Sequence, residues 1–515
     1  MGLGKILKYL AFALALSLAI LGIVPAQAKD WHRADTHHFT IYSSGEKRQL
    51  EDFAHEVEKF DALLRSLWRI PVLDHPQKLT IYMLSSAEEV ASLRGEANIA
   101  GFYEPTTNGS FAVSNRRQTS DKEDLSGKET LFHEYAHHFM FNNFAIPAPP
   151  WFIEGYAEFV ATAEFGKNGQ WYFGKPAFHR ANEFQYLDPM PIEDLLAFGS
   201  KDGPKKVGGS FYGWSWALTH MLYFNSGDGG ASIVKYLNRI NRGQNSLSAA
   251  RAEFGDLGVL QSRLRSYVKG SIVFKKSDSP IAYRSNIRVT RLSPVDSAVA
   301  ELTMKRRSNF KREQTRDLLA AIASGADATA EAWYQLALAE KAMARAAAGD
   351  DDEADLSRME VALDRALALD PGHVHANVDK GQLMVDRLAE QGSPDAAQWD
   401  AARDFIVRAN RADPLDPYAL YHFAQSYARQ GQRNEQSAIA LRAAFEGAPE
   451  SGEVRIAYAY ELASQGAFAS AIKILEVLAN HPHYRASGQA ALDRVLQMQN
   501  GGVPVLRIGE VSIKE

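Results

Sequence analysis

Leu131-Phe132-His133-Glu134-Tyr135-Ala136-His137-His138, followed by Trp151-Phe152-Ile153-Glu154-Gly155-Tyr156-Ala157-Glu158, decides how the first half of this chain is read. Ser126 and Glu129 stand where a helix start places a capping residue and its carboxylate partner, so the first stretch is predicted as a helix. Side chains four positions apart share a helix face, so His133 and His137 can aim both imidazoles at one ion. Glu134 projects beside them, where it can take a proton from water activated by that ion. His138 points about 100° away around the helix and suits a role behind the ligands or at the surface. Pro147, Pro149 and Pro150 then reverse the chain, and a second helix places Glu154 and Glu158 on one face. An antiparallel pair of such helices can bring Glu154 to the histidines as a third ligand. Glu158, one turn on, can accept a hydrogen bond from an imidazole N–H. The bland alternative leaves both glutamates solvated on an amphipathic helix.

Composition narrows the chemistry. The 515 residues include no cysteine, so a disulfide scaffold, a thiol nucleophile and a Cys-ligated metal are excluded. A metal site must use His, Asp and Glu, and neutral imidazoles with a carboxylate suit Zn²⁺ in a catalytic setting. With 57 Lys+Arg against 62 Asp+Glu the formal charge is −5, which argues against a nucleic-acid binder. An apolar fraction of 46% is that of a folded protein, and the length implies more than one domain.

H-E-x-x-H followed by W-x-x-E-G-x-A-E resembles the gluzincin zinc peptidases, the group of thermolysin-like enzymes and zinc aminopeptidases. The resemblance covers roughly residues 100–267 and is carried by 131–158. It implies an α+β zincin-like domain in which His133, His137 and Glu154 bind zinc and Glu134 is the catalytic base. The spacing to Glu154 is shorter than in those relatives. A G-A-M-E-N motif is absent from the sequence, so action on free N-termini is not supported. Related enzymes donate to the oxyanion from a Tyr or His beyond the second zinc helix. Tyr212, in Phe211-Tyr212-Gly213-Trp214, is the first candidate for that role and His220 the second. A purely packing role for Tyr212 is an equal alternative.

Upstream, Lys5 and Lys8 precede an apolar run from Tyr9 to Val24 and an Ala26-Gln27-Ala28 end. That pattern predicts a signal peptide over 1–28, with a retained anchor as the alternative. Its removal takes the charge from −5 to −7 and leaves no membrane span, which implies an exported protein, most simply a periplasmic one. Phe39-Thr40-Ile41-Tyr42 and Leu79-Thr80-Ile81-Tyr82 read as strands, and Phe53, Val57, Phe60, Leu64 and Leu67 as a helix between them. Asn108-Gly109 marks a hairpin joining 100–103 to 110–113, either a core hairpin or an edge to which an extended peptide can add. Helical patterns dominate from Lys128 to Tyr267, interrupted by the Gly- and Pro-rich stretch from Phe198 to Gly209, which completes an α+β metallopeptidase domain over 29–270. Residues from about Ser271 to Ser293 read as irregular or strand-like, and a linker is expected over 271–295.

From 296 to 500 the chain turns Ala-rich and helical. Leu363, Ala366 and Pro371 correspond to Ile406, Ala409 and Pro414, then to Leu441, Ala444 and Pro449. Leu475, Leu478 and Pro482 close the series, whose prolines step by 43, 35 and 33 residues. Ala424 and Ala459 each precede a glycine, Gly431 or Gly466, by seven positions. This resembles the tetratricopeptide repeat, whose helix pairs pack small residues at crossings and must stack to bury a core. Insertions fall near 349–355 and 391–393, residues 501–515 form a tail, and an unrelated helical bundle is the alternative.

The expectation is therefore an exported zinc-dependent endopeptidase acting on peptide or protein, with an all-α repeat domain for a protein partner or substrate. A non-catalytic scaffold with a structural or vestigial zinc is the rival, and a hydrolase of non-peptide amides is a third reading.

Overall fold

The fold is described by a computed structural model over residues 29–501, apart from 75–76, 98, 118–123, 167, 201–202, 205, 207, 350–353, 392–394 and 482–483. The expected signal peptide, residues 502–515, Pro482 and parts of both insertions lie outside the described residues. Among those described, no helix is long and apolar enough to cross a membrane.

The N-terminal region is built on a six-stranded sheet. Its elements are β1 (His32–Asp35), β2 (Phe39–Ser43), α1 (Lys47–Trp68), β3 (Leu79–Leu84), α2 (Ala87–Arg94), β4 (Phe102–Glu104) and β5 (Phe111–Asn115). The two runs read as strands are β2 and β3, and β2 buries Phe39 and Ile41 at alternate positions. The helical periodicity between them is α1, which buries Ala54, Val57, Phe60 and Leu64. β2 and β3 pair in parallel, as do β3 and β5, whereas β4 and β5 form an antiparallel hairpin. Gly109 turns that hairpin with a φ of 103°, a region that a Cβ disfavours.

A run of helices and a second small sheet follow. They are α3 (Gly127–Asn143), α4 (Pro150–Ala161), β6 (Glu164–Phe165), β7 (Trp171–Phe173), α5 (Ala181–Tyr186), α6 (Ile192–Ala197), α7 (Phe211–Phe224), α8 (Ala231–Asn241), α9 (Ser246–Phe254) and α10 (Leu257–Tyr267). The stretch read as predominantly helical thus also contains β6 and β7. The segment expected as a linker supplies β8 (Lys275–Ser277) and β9 (Arg288–Arg291). β8 pairs with β7, and β9 pairs with β1, giving the sheet order β4-β5-β3-β2-β1-β9. These strands are short and polar, so their stability comes from their partners, and they carry no apolar alternation to read.

The C-terminal region consists of α11 (Pro294–Arg307), α12 (Arg312–Ala323), α13 (Ala330–Ala348), α14 (Ser357–Leu369), α15 (Val374–Glu390), α16 (Ala396–Ala412), α17 (Pro417–Arg429), α18 (Glu435–Gly447), α19 (Gly452–Ser464), α20 (Phe468–Ala479) and α21 (Arg485–Gln499). Successive helices pack in pairs: α13 with α14, α15 with α16, α17 with α18, and α19 with α20. Pro371, Pro414 and Pro449 sit in the turns between pairs, where a missing N–H costs nothing to a helix. Ala424 and Ala459 are buried, and a Cβ on Gly381 would lie 2.7 Å from Ile406, so small residues do stand at close approaches.

One hydrophobic cluster joins the sheet face carrying Phe39 and Ile81 to α1, α3, α4 and α7. Phe60 of α1 stacks on Phe132 of α3 at 4.0 Å between ring centroids. Tyr82, Phe102 and Phe111, on the opposite face, pack with Met304 of α11. The sheet is therefore covered by the motif helices on one side and by the start of the array on the other.

Candidate metal centre

The local sequence forms both motif helices cleanly. Ser126 accepts from the Glu129 backbone N–H, and the Glu129 side chain accepts in return from the Ser126 N–H, a complete capping box for α3. Pro150 opens α4, a position where its missing N–H is no loss. All twelve residues of α4 are buried, so the solvated reading of Glu154 and Glu158 does not hold. A carboxylate buried in such a helix must be paired, or its desolvation would be prohibitive. Gly155 explains how the helix can sit there. A Cβ at that position would lie 2.3 Å from the Ser215 carbonyl oxygen of α7.

His133, His137 and Glu154 converge. His133 Nε2 and His137 Nε2 are 3.1 Å apart, and each lies 3.4 Å from Glu154 Oε2. A tetrahedral zinc with ligand bonds of about 2.0–2.1 Å needs donor atoms about 3.3–3.4 Å from one another. The triangle has that size and that donor set, so these residues fit Zn²⁺. Burial opposes protonation of His133, yet the Glu154 and Glu158 carboxylates push its pKa up to about 10. Burial likewise opposes ionisation of Glu154, and the two imidazoles override it to hold the carboxyl well below its usual range. A site that favours positive charge this strongly suits a divalent cation.

Glu134 is half-buried beside the triangle, and among the described residues nothing pairs with its carboxylate. Glu158 Oε1 lies 3.3 Å from His133 Nδ1, on the far side of the ring from the triangle. Two residues that the motif did not reveal hold it there: His179 Nε2 at 2.8 Å from Oε2 and Arg180 Nη2 at 2.5 Å from Oε1. Burial works against the Glu158 charge, but Arg180, His133 and His179 keep it ionised. Arg180 also reaches Glu183 at 3.1 Å, and Glu183 accepts from the Gly213 N–H at the start of α7. His179 and Arg180 lie in a single 3₁₀ turn with no periodicity, so only their charge could have drawn notice.

The two oxyanion candidates separate clearly. The Tyr212 ring lies under the Arg180 guanidinium at 4.9 Å. Burial and the charges of Glu154, Glu158 and Glu134 push its pKa up to about 12, so the hydroxyl stays a donor next to those carboxylates. His220 is turned away. Its Nε2 is 2.7 Å from the Gly174 carbonyl and its Nδ1 2.7 Å from the Tyr267 hydroxyl. His138 is buried rather than at the surface, 2.9 Å from the Tyr103 hydroxyl of β4. Burial, with Arg65 and His38 nearby, pushes its pKa down to about 3 and keeps it neutral.

A second buried group, His38, Glu58 and Asp61, also gathers three donor types. Asp61 already accepts from Arg65 Nε at 2.8 Å and from the Tyr135 hydroxyl at 2.7 Å. The guanidinium supplies the positive charge there, so this network fastens α1 to α3 and needs no ion.

No family model matches the chain, and no curated protein matches it. Among solved structures, 38% of the chain aligns with 98% of a thermophilic TPR protein of Thermus thermophilus, at 16% identity and a TM-score of 0.32. A second similarity, covering 41% of this chain and 98% of the other, is to MamA MSR-1 C2, at 13% identity and a TM-score of 0.25.

Proposed function

We propose that this chain is an exported zinc-dependent peptidase of the gluzincin kind, cleaving within peptide chains, with a tetratricopeptide-like helical array as its second part. The observation that carries the reading is the triangle of half-buried His133 with buried His137 and Glu154, with donor spacings of 3.1–3.4 Å and, beside it, a Glu134 that is unpaired among the described residues. Zn²⁺ held there would polarise a peptide carbonyl and lower the pKa of water toward about 7. Glu134 accepts the proton of the attacking water and passes it to the leaving amine. Tyr212 donates to the developing oxyanion, and Glu158 keeps the His133 ring in its orientation. β4 ends the sheet order, so its outer side offers backbone groups to an extended peptide. Lys5, Lys8 and the apolar run to Val24 support export.

The test is digestion of an unbiased peptide library at neutral pH by wild type and Glu134→Gln, with and without a chelator. Chelator-sensitive cleavage that disappears in Glu134→Gln, with zinc still bound at one per chain, supports the reading. Equal cleavage by the variant overturns it. The paired helices of the array favour a second reading, a scaffold that binds a protein partner without catalysis. A protein that takes up no zinc even when zinc is supplied, and cleaves nothing, would favour that one.

A further inference from the structure

The tip of the β4–β5 hairpin is a turn of Thr, Asn, Gly and Ser, a composition that ordinarily faces water. Here Thr107 and Ser110 are buried, and groups of the helical array contact the turn from its first helix and from the start of α19. Arg307, at the end of α11, donates to Thr106 Oγ1 at 3.1 Å and to the Gly109 carbonyl. From the start of α19, Ser451 Oγ lies 2.8 Å from Thr107 Oγ1, and Glu453 accepts from the same hydroxyl at 2.9 Å. Ser110 donates to Glu450 at 2.8 Å. A cavity of about 60 Å³ remains between hairpin and array, lined by Thr107, Ser110, His375 and Glu450 among others.

The same helices reach the ligand helix directly. Arg455 of α19 is buried and donates to the Phe141 carbonyl, in the last turn of α3, at 3.2 Å. The His481 ring lies on the Phe141 ring at 4.0 Å, and Val477 of α20 joins the core of the N-terminal region. Hairpin and ligand helix are themselves tied by Tyr103 and His138, the neighbour of His137.

We infer that the array is an internal brace of the metal site: α11 and α19 grip the β4–β5 hairpin while α19 and α20 hold the end of α3, fixing β4 against the ligand helix. Arg307 and Arg455 are positioning residues, acting through the hairpin and through the α3 backbone. This face of the array is accordingly occupied by the chain itself and is closed to any partner.

The inference rests on the proposed zinc peptidase in its kinetic and zinc-binding arms, and not in its amide-exchange arm. The chain has no cysteine, so Thr107→Cys with Ser451→Cys gives a single disulfide across the contact. For a fixed brace, the oxidised form keeps wild-type zinc affinity and wild-type kcat/KM. Activity that falls tenfold on oxidation and returns with reductant means that the array must open, and overturns the brace. In the full-length chain, Arg307→Met with Thr107→Val should speed amide exchange in residues 102–115 by at least tenfold. It should raise KM more than it lowers kcat, with zinc still at one per chain, and Arg307→Lys should restore part of both. Unchanged exchange in the hairpin overturns the inference whether or not wild type cleaves peptides. Absence of cleavage by wild type counts against the peptidase reading, and exchange then decides the brace alone.

Discussion

Glu158 Oε1 stands 3.3 Å from His133 Nδ1, so a carboxylate buried on α4 braces from behind the ring that α3 offers as a proposed metal ligand. His179 and Arg180 complete the arrangement, with the Glu158 and His179 side chains shielded from water and Arg180 half-buried. Partners of this kind fix the tautomer and the ring angle of a ligating imidazole.

Glu158→Gln keeps the shape of the side chain and removes its charge. The half-buried Arg180 then loses its main counter-charge, and the His133 ring its acceptor of choice. Zinc should bind at one per chain with an affinity lower by about 10–100-fold. Competition against a chromophoric chelator reads this directly, and wild-type affinity would show that the ring orientation does not depend on Glu158.

Tyr212→Phe should leave the ring stacked on Arg180 while deleting the donor. If Tyr212 serves the oxyanion, kcat drops by about 10²–10³ with little change in KM. His220→Gln, in contrast, should leave kcat alone, because both ring nitrogens of His220 already face Gly174 and Tyr267. Steady-state kinetics on one peptide substrate separates the two, and a kcat loss in His220→Gln alone would reverse the assignment.

What the sequence could reveal followed from periodicity. His133 and His137, or Glu154 and Glu158, are visible because a helix repeats every 3.6 residues and puts them on one face. The strands β2 and β3 are visible through β-branched and aromatic runs. His179, Arg180 and Glu183 are not, because they reach Glu158 from an irregular segment whose path depends on the tertiary fold. The segment of β9 reads only as irregular or strand-like, and its pairing with β1 is hidden for a related reason: Arg-Val-Thr-Arg has no apolar alternation to fix a partner. The contact between Arg455 and Phe141 spans 314 positions and has no local signature at all.

Gly155→Ala tests the close approach of α4 and α7. Ala is the better helix former by about 1 kcal/mol, so propensity alone predicts a gain. The added Cβ, however, would lie 2.3 Å from the Ser215 carbonyl oxygen and 2.5 Å from Thr219 Oγ1. Backbone cannot swing aside, so the helices must separate, at a typical overpacking cost of about 1–3 kcal/mol. The clash should win. We expect a lower urea midpoint for the metal-free protein and weaker zinc binding, since α4 also carries Glu154. A variant at or above wild-type stability would mean that α7 yields more easily than its packing implies.

Acid stability should report His220. Burial pushes its pKa from 6.5 down to about 4, only partly opposed by the Gly174 carbonyl. Between those two values the unfolded chain carries a proton that the folded chain refuses. Stability is therefore complete above pH 6.5 and declines as the pH falls toward 4, by up to about 1.4 kcal/mol per unit for one such group. His422 of α17 is half-buried, and desolvation pushes its pKa down to about 4 as well, so the array should weaken over the same range. His220→Gln can still donate to the Gly174 carbonyl but cannot titrate. Urea midpoints measured from pH 7.5 to 4.5 should fall less steeply for this variant than for wild type. Parallel slopes would mean that His220 is protonated as readily folded as unfolded, and that its burial carries no electrostatic cost.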